Sequence, residues 1–67
     1  DTYGLFLSGI WDNCLQAVKD GQSESEAKAR VLQDPRVAAR AKTMQGFDSN
    51  IGKYVSLAYL EAEKEAF

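Results

Sequence analysis

Apolar residues recur every three or four positions through Tyr3, Phe6, Leu7, Ile10, Trp11, Cys14, Leu15 and Val18, while Ser8, Asp12, Gln16 and Lys19 fall on the opposite side. That period is the one a helix needs to bury a single stripe. It predicts a first helix from about Tyr3 to Asp20, capped by Asp1 or Thr2 and ended by Gly21, which suits a left-handed terminating position. Leu5 stands outside the stripe. Gly4, Ser8 and Gly9 weaken helix propensity but leave room for a close helix contact.

Ser23 and Glu26 match a capping box, in which the serine oxygen and the glutamate carboxylate each satisfy a free backbone N–H. A second helix is therefore expected from Glu24 to Gln33, with Ala27, Val31 and Leu32 as its core residues and Ala29 beside them. Asp34-Pro35 ends it and starts a third, because proline disfavours the helical region for the preceding residue and its own fixed φ suits a first helical turn. The third helix is predicted to reach about Gln45, with Val37, Ala38, Ala41 and Met44 inward and Gly46 as its stop. Gly46-Phe47-Asp48-Ser49 reads as a turn, and a fourth helix is expected from Asp48 or Ser49 nearly to Phe67. Its stripe is Ile51, Val55, Ala58 and Ala62; Tyr54, Leu57, Tyr59, Leu60 and Phe67 widen it beyond one core face.

No piece carries the alternation of a strand. The expected fold is all-α: one domain over residues 1–67, a small four-helix bundle of long, short, short and long helices joined by connections of two to four residues. The expected core is Phe6, Ile10, Trp11, Cys14, Val18, Val31, Leu32, Val37, Ala41, Met44, Ile51, Val55 and Ala58.

Size sharpens this picture. A chain of 67 residues buries only about 60% of the surface it exposes when unfolded, so its stability is marginal. Disulfides and metals often support such domains. Here a single cysteine, Cys14, excludes an internal disulfide, and the absence of histidine removes the usual zinc ligand sets. The helices must pack well or complete themselves by association. An apolar fraction of 45% and a charged fraction of 27% fit a folded domain rather than a disordered one. A net charge of −2 weighs against nucleic acid and against anionic membrane surfaces. The longest apolar stretch, Gly4 to Trp11, is far short of the roughly 20 residues that span a bilayer, and it lacks the flanks of a signal peptide. The chain starts at Asp1 rather than methionine, as expected of a processed or trimmed terminus, so a cytoplasmic location is a default only.

Candidate chemistry is sparse. Without histidine the familiar nucleophilic triads cannot form, and Cys14, between Trp11 and Val18 on the apolar face, reads as an inert core thiol. Glu61, Glu63 and Glu65 read as a solvated terminal face rather than an acid–base pair. Gly46 to Lys53 is one residue too long for a phosphate-binding loop and lacks the following Ser/Thr. Asp48-Ser-Asn50 resembles the start of a calcium loop, but Tyr59 stands where its last glutamate belongs. No enzyme activity, cofactor, metal or small-molecule substrate is expected.

Two surfaces remain. Lys28, Arg30, Arg36, Arg40 and Lys42 face one acid, Asp34, over fifteen residues, and Arg36 and Arg40 lie one helical turn apart. Tyr3, Leu5, Tyr54, Tyr59, Leu60 and Phe67 exceed what so small a core can hold; Leu57 joins Tyr3, Leu5, Tyr54, Tyr59 and Leu60 as a candidate contact residue, and tyrosine suits interfaces because it joins apolar area to one polar atom. The expected role is a non-enzymatic interaction module: an adaptor, an assembly subunit or a small regulatory inhibitor. It would bind a protein partner, or itself as an oligomer, through the aromatic-aliphatic edge of the first and last helices. Arg36 and Arg40 would steer an acidic surface. The alternative is a helix-turn-helix-like nucleic-acid binder using residues 23–42, although its second helix is dominated by alanine and lacks base-reading Asn, Gln or Ser.

Overall fold

The computed structural model describes residues 1–66, and four helices take up nearly all of them: α1 (Thr2–Lys19), α2 (Glu24–Gln33), α3 (Pro35–Ala41) and α4 (Phe47–Ala66). Phe67, assigned above to the widened stripe of the last helix, lies outside the described residues. The fold is the expected all-α bundle, with no strand among the described residues.

Local chemistry sets most boundaries. The Asp1 carboxylate accepts from Gly4 N–H and opens α1. Gly21, at φ 72°, closes it: Gly21 N–H donates to Val18 O at 3.1 Å and Gln22 N–H to Ala17 O at 2.8 Å, the paired bonds of a Schellman stop. At α2, Glu26 N–H donates to Ser23 Oγ at 3.2 Å and Ser23 N–H to Glu26 Oε1 at 3.3 Å, so the capping box is complete. Asp34 ends α2 in an extended conformation and caps α3, accepting from Arg36 N–H at 2.9 Å, with Pro35 in the first turn.

The contacts between helices give their order in space. The α2–α3 pair runs back down α1: Arg30 meets Asp20, Asp34 meets Asn13, and Arg40 meets Tyr3. The last helix then runs in the same sense as α1, with Phe47 against Phe6, Val55 beside Cys14 and Tyr59 reaching Gln22. α1 is thus the hub that touches all three others, and α2 also packs on α4 and on α3. One buried cluster joins the four: Phe6, Ile10, Cys14, Ala17 and Val18 from α1, Ala27 and Val31 from α2, Val37 from α3, and Phe47, Ile51, Val55 and Ala62 from α4. Gly9 is buried in α1, and a Cβ there would stand 2.9 Å from Val37 Cγ2. The missing side chain is what lets α3 approach.

Several expectations need correction. The third helix stops at Ala41, not near Gln45. Thr43 and Met44 N–H both turn back to Arg40 O, at 3.0 and 2.9 Å, and the Thr43 hydroxyl donates to the same carbonyl at 3.2 Å. Consequently Gly46, at φ 74°, does not stop α3; its carbonyl accepts from Ser49 and Asn50 N–H at 3.1 Å and opens α4. Phe47 is not a turn residue but the first buried residue of α4, edge-on to Phe6 at 6.4 Å between ring centroids. Burying one such ring is worth about 2–3 kcal/mol, more than the few tenths per residue gained by continuing α3. Leu32 is not in the core: it is 44% exposed. It sits about 100° around α2 from buried Val31, and the chain leaves α2 within two residues, so it is only partly covered. Trp11, Ala41, Met44 and Ala58 line the edge of the core rather than filling it.

Candidate interaction surface

The basic segment is less free than its local sequence implies. Arg36 lays a two-pronged guanidinium on Asp34, Nε to Oδ1 at 3.1 Å and Nη2 to Oδ2 at 2.9 Å, while its Nη1 reaches Asp12 at 2.9 Å. Asn13 Nδ2 adds a bond to Asp34 Oδ2 at 2.8 Å and one to Gly9 O at 2.7 Å. Hydrogen bonding from Arg36, opposed by desolvation and helped by Asn13, holds the Asp34 carboxyl well below the usual range. The bonds to Asp34 and then Asp12 raise Arg36 in turn. Arg30 pairs with Asp20 at 3.1 Å, and Arg40 stands 5.9 Å from the centre of the Tyr3 ring, within range of a cation–π contact. Acids from α1 and the loop after it therefore offset much of the positive charge. Lys28 and Lys42 are exposed and make no ion pair among the described residues.

Of the four tyrosine and leucine positions assigned to α4, two serve the fold. Tyr54 packs edge-on against Phe6 at 5.5 Å, with ring planes 85° apart. Tyr59 donates its hydroxyl to Gln22 O at 2.6 Å, tying α4 to the loop between α1 and α2. Desolvation, and then the charge of Glu63, Glu24 and Glu26, raises its phenol. The other two point outward: Leu57 is 66% exposed and Leu60 52%. On α1, Tyr3 and Leu5 are exposed as well. Leu5 lies two turns before Asp12, on the flank of α1 that meets Arg36, and Tyr3 lies under Arg40. The Tyr3 and Leu5 end of the expected edge thus borders α3, while Leu57 and Leu60 project from α4, and Tyr3 and Tyr54 meet between them on Phe6.

The α4 half carries a feature that was not picked out from the sequence. Ser49, Gly52, Lys53, Ser56 and Leu57 line a shallow open hollow of about 550 Å³. A Cβ on Gly52 would meet nothing within 4 Å. The signal was present in the pattern: Ser49, Gly52 and Ser56 are small residues on the face opposite Ile51, Val55 and Ala62. The thiol of Cys14, by contrast, is sealed in the core, pushed up to about 11 by burial and, next, by Glu24, with its Sγ 3.8 Å from Val55 O. Among the described residues no group of acids and thiol is arranged to hold a metal, and no helix is long and apolar enough to cross a membrane.

Comparison with family models, with curated proteins and with solved structures finds no match for this chain. The functional reading therefore rests on the geometry above.

Proposed function

We propose that this chain is a non-enzymatic interaction module that binds protein through the outer face of α4. The observation that carries the reading is the pair Leu57 and Leu60. They stand one turn apart, uncovered, beside a hollow with small-residue walls. Large apolar side chains gathered on one face have hydration to lose on contact, and a concave neighbour gives a partner's side chain somewhere to go. Charge steering falls to Lys28, Lys42 and Lys53 more than to Arg36, whose charge is offset inside the chain.

Support for this reading over a helix-turn-helix comes from α2 and α3. A single residue, Asp34, separates them, and α3 has only seven residues. A recognition helix needs a turn of three or four residues before it and free basic side chains to reach a groove. The test is direct. Leu57→Glu and Leu60→Glu should leave the helical circular dichroism unchanged and abolish retention of whatever protein the unmodified chain captures from a lysate of its source. Retention of the same protein by both variants overturns the reading. Retardation of duplex DNA at low salt, lost steeply as salt is added, would favour the alternative.

A further inference from the structure

We propose that α4 pairs with α4 of a second copy, antiparallel, across this outer face. The inference rests on the interaction-module reading and names its occupant. It starts from the shape of the hollow. Ser49, Gly52, Lys53 and Ser56 are spaced i, i+3, i+4 and i+7, which is the four-residue hole that receives a side chain from a facing helix. The matching knob is on the same face. Leu60, 52% exposed, follows Ser49, Lys53 and Ser56 along one side of α4. Hole and knob lie about 11 Å apart along the axis at 1.5 Å rise per residue. A two-fold axis passing beside Ser56 and Leu57 therefore seats each Leu60 in the other copy's hole in one operation, as a closed symmetric contact requires.

The same register settles the neighbours. Leu57, the most exposed large apolar residue among the described residues, comes beside Leu57 of the second copy near the axis. Lys53 comes beside Glu61 of the second copy, and by symmetry Glu61 beside Lys53. Lys53 makes no ion pair among the described residues, and Glu61 has only a loose 3.4 Å contact to Lys64 in which both side chains are largely exposed. The register also brings Glu61 and Glu63 beside the amino-terminal turns of the neighbouring α4, where negative charge is favoured. A parallel pairing offers none of this: it sets Lys53 beside Lys53 and leaves each Leu60 against Leu60 rather than in a hole. The Ser56 hydroxyl is already held by Glu24 at 2.8 Å, so that wall of the hole asks nothing of a partner. One helix pair covers less than the roughly 1,200 Å² typical of lasting complexes, so the dimer is a transient one.

Sedimentation equilibrium from about 10 µM to 1 mM, the span of weak transient contacts, tests this on the whole chain, with circular dichroism to confirm that each variant is folded. The apparent mass of the unmodified chain should rise from one copy toward two. Lys53→Glu and Glu61→Lys each place two like-charge contacts in the interface and should weaken association at least about tenfold. The double variant Lys53→Glu/Glu61→Lys should restore it. Leu60→Ser should abolish it. A chain that stays monomeric throughout overturns the proposal, as does a double variant no better than the singles. The wider module reading survives either result if an outside protein is still captured and lost on Leu57→Glu; it fails with the proposal only if neither a second copy nor an outside protein binds that face.

Discussion

Two glycines of the same chemistry sit in opposite surroundings, and the difference decides what a methyl group does at each. At Gly9 the added Cβ would meet Val37 Cγ2 at 2.9 Å and Arg36 Cβ at 3.4 Å, and Val37 is a fully buried, β-branched side chain with nowhere to turn. Overpacking of that kind costs about 1–3 kcal/mol, against about 1 kcal/mol gained in helix propensity, so Gly9→Ala should destabilise the domain by about 1 kcal/mol net. Gly52 has open space above it, and Gly52→Ala should stabilise by up to about 1 kcal/mol. Urea midpoints measured at low micromolar concentration should move in opposite directions. Cys14 makes a second prediction at this scale. Its thiol is pushed up to about 11 in the fold from an ordinary value of 9.0, so the folded state keeps a proton that the unfolded chain gives up. Stability from this group is full below pH 9.0 and drains away as pH rises toward about 11. Near neutral pH the buried thiol should react with a disulfide reagent only as fast as the domain opens; fast labelling of the folded chain would show that the thiol is reachable from the surface.

Boundaries that depend on a few adjacent residues were legible: Ser23 with Glu26 and Asp34 with Pro35 at the starts of α2 and α3, and Gly21 at the end of α1. Helix ends that answer to distant neighbours were not. Nothing within Lys42 to Gln45 announces that α3 stops at Ala41, because the stop serves Phe47, whose partner Phe6 is far away in the chain. The charge of the middle segment misled for the same reason. Read locally it faces only Asp34, whereas in space Asp12 and Asp20 come to Arg36 and Arg30. Asp34 is where the elements meet, capping α3, accepting from Asn13 of α1 and holding Arg36. Asp34→Ala removes the cap and takes the acceptor from three side-chain N–H donors of Arg36 and Asn13, at a cost on the order of 2 kcal/mol. Asp34→Asn keeps a capping oxygen and should lose less. Because the Asp34 carboxyl titrates below its ordinary 3.8, the unfolded chain binds its proton first; stability from this group is present above pH 3.8 and lost as pH falls further. Acid unfolding of Asp34→Asn should therefore be less steep below pH 4 than that of the unmodified chain, and identical slopes would remove Asp34 from the account.

At the scale of the molecule the question is which apolar residues hold the domain together and which are left for something else. The sequence pattern answered the first part well. Eight of the thirteen expected core residues, Phe6, Ile10, Cys14, Val18, Val31, Val37, Ile51 and Val55, are buried, because each lies on a stripe facing α1 or lies on α1 itself. It answered the second part only in outline. Tyr54 and Tyr59 look like surplus in a list of residues, yet each has a specific partner in Phe6 or Gln22 that no local pattern reveals. Leu57 and Leu60 have none, which makes the contrast testable. A chain of 67 residues has roughly 3–10 kcal/mol of total stability. Phe6 is fully buried and meets Tyr3, Phe47 and Tyr54. Truncating such a ring costs about 3–5 kcal/mol, so Phe6→Ala should remove about a third or more of that stability, with a matching fall in urea midpoint and in helicity. The Leu57→Glu and Leu60→Glu changes fall on surface that is already wet and should move stability by no more than about 0.5 kcal/mol in the monomer. Helical circular dichroism and urea midpoints on the three variants, taken at a concentration below that of any self-association, check the division. If either glutamate variant lost helicity as Phe6→Ala does, α4's outer leucines would belong to the core, and the face would no longer be free to bind anything.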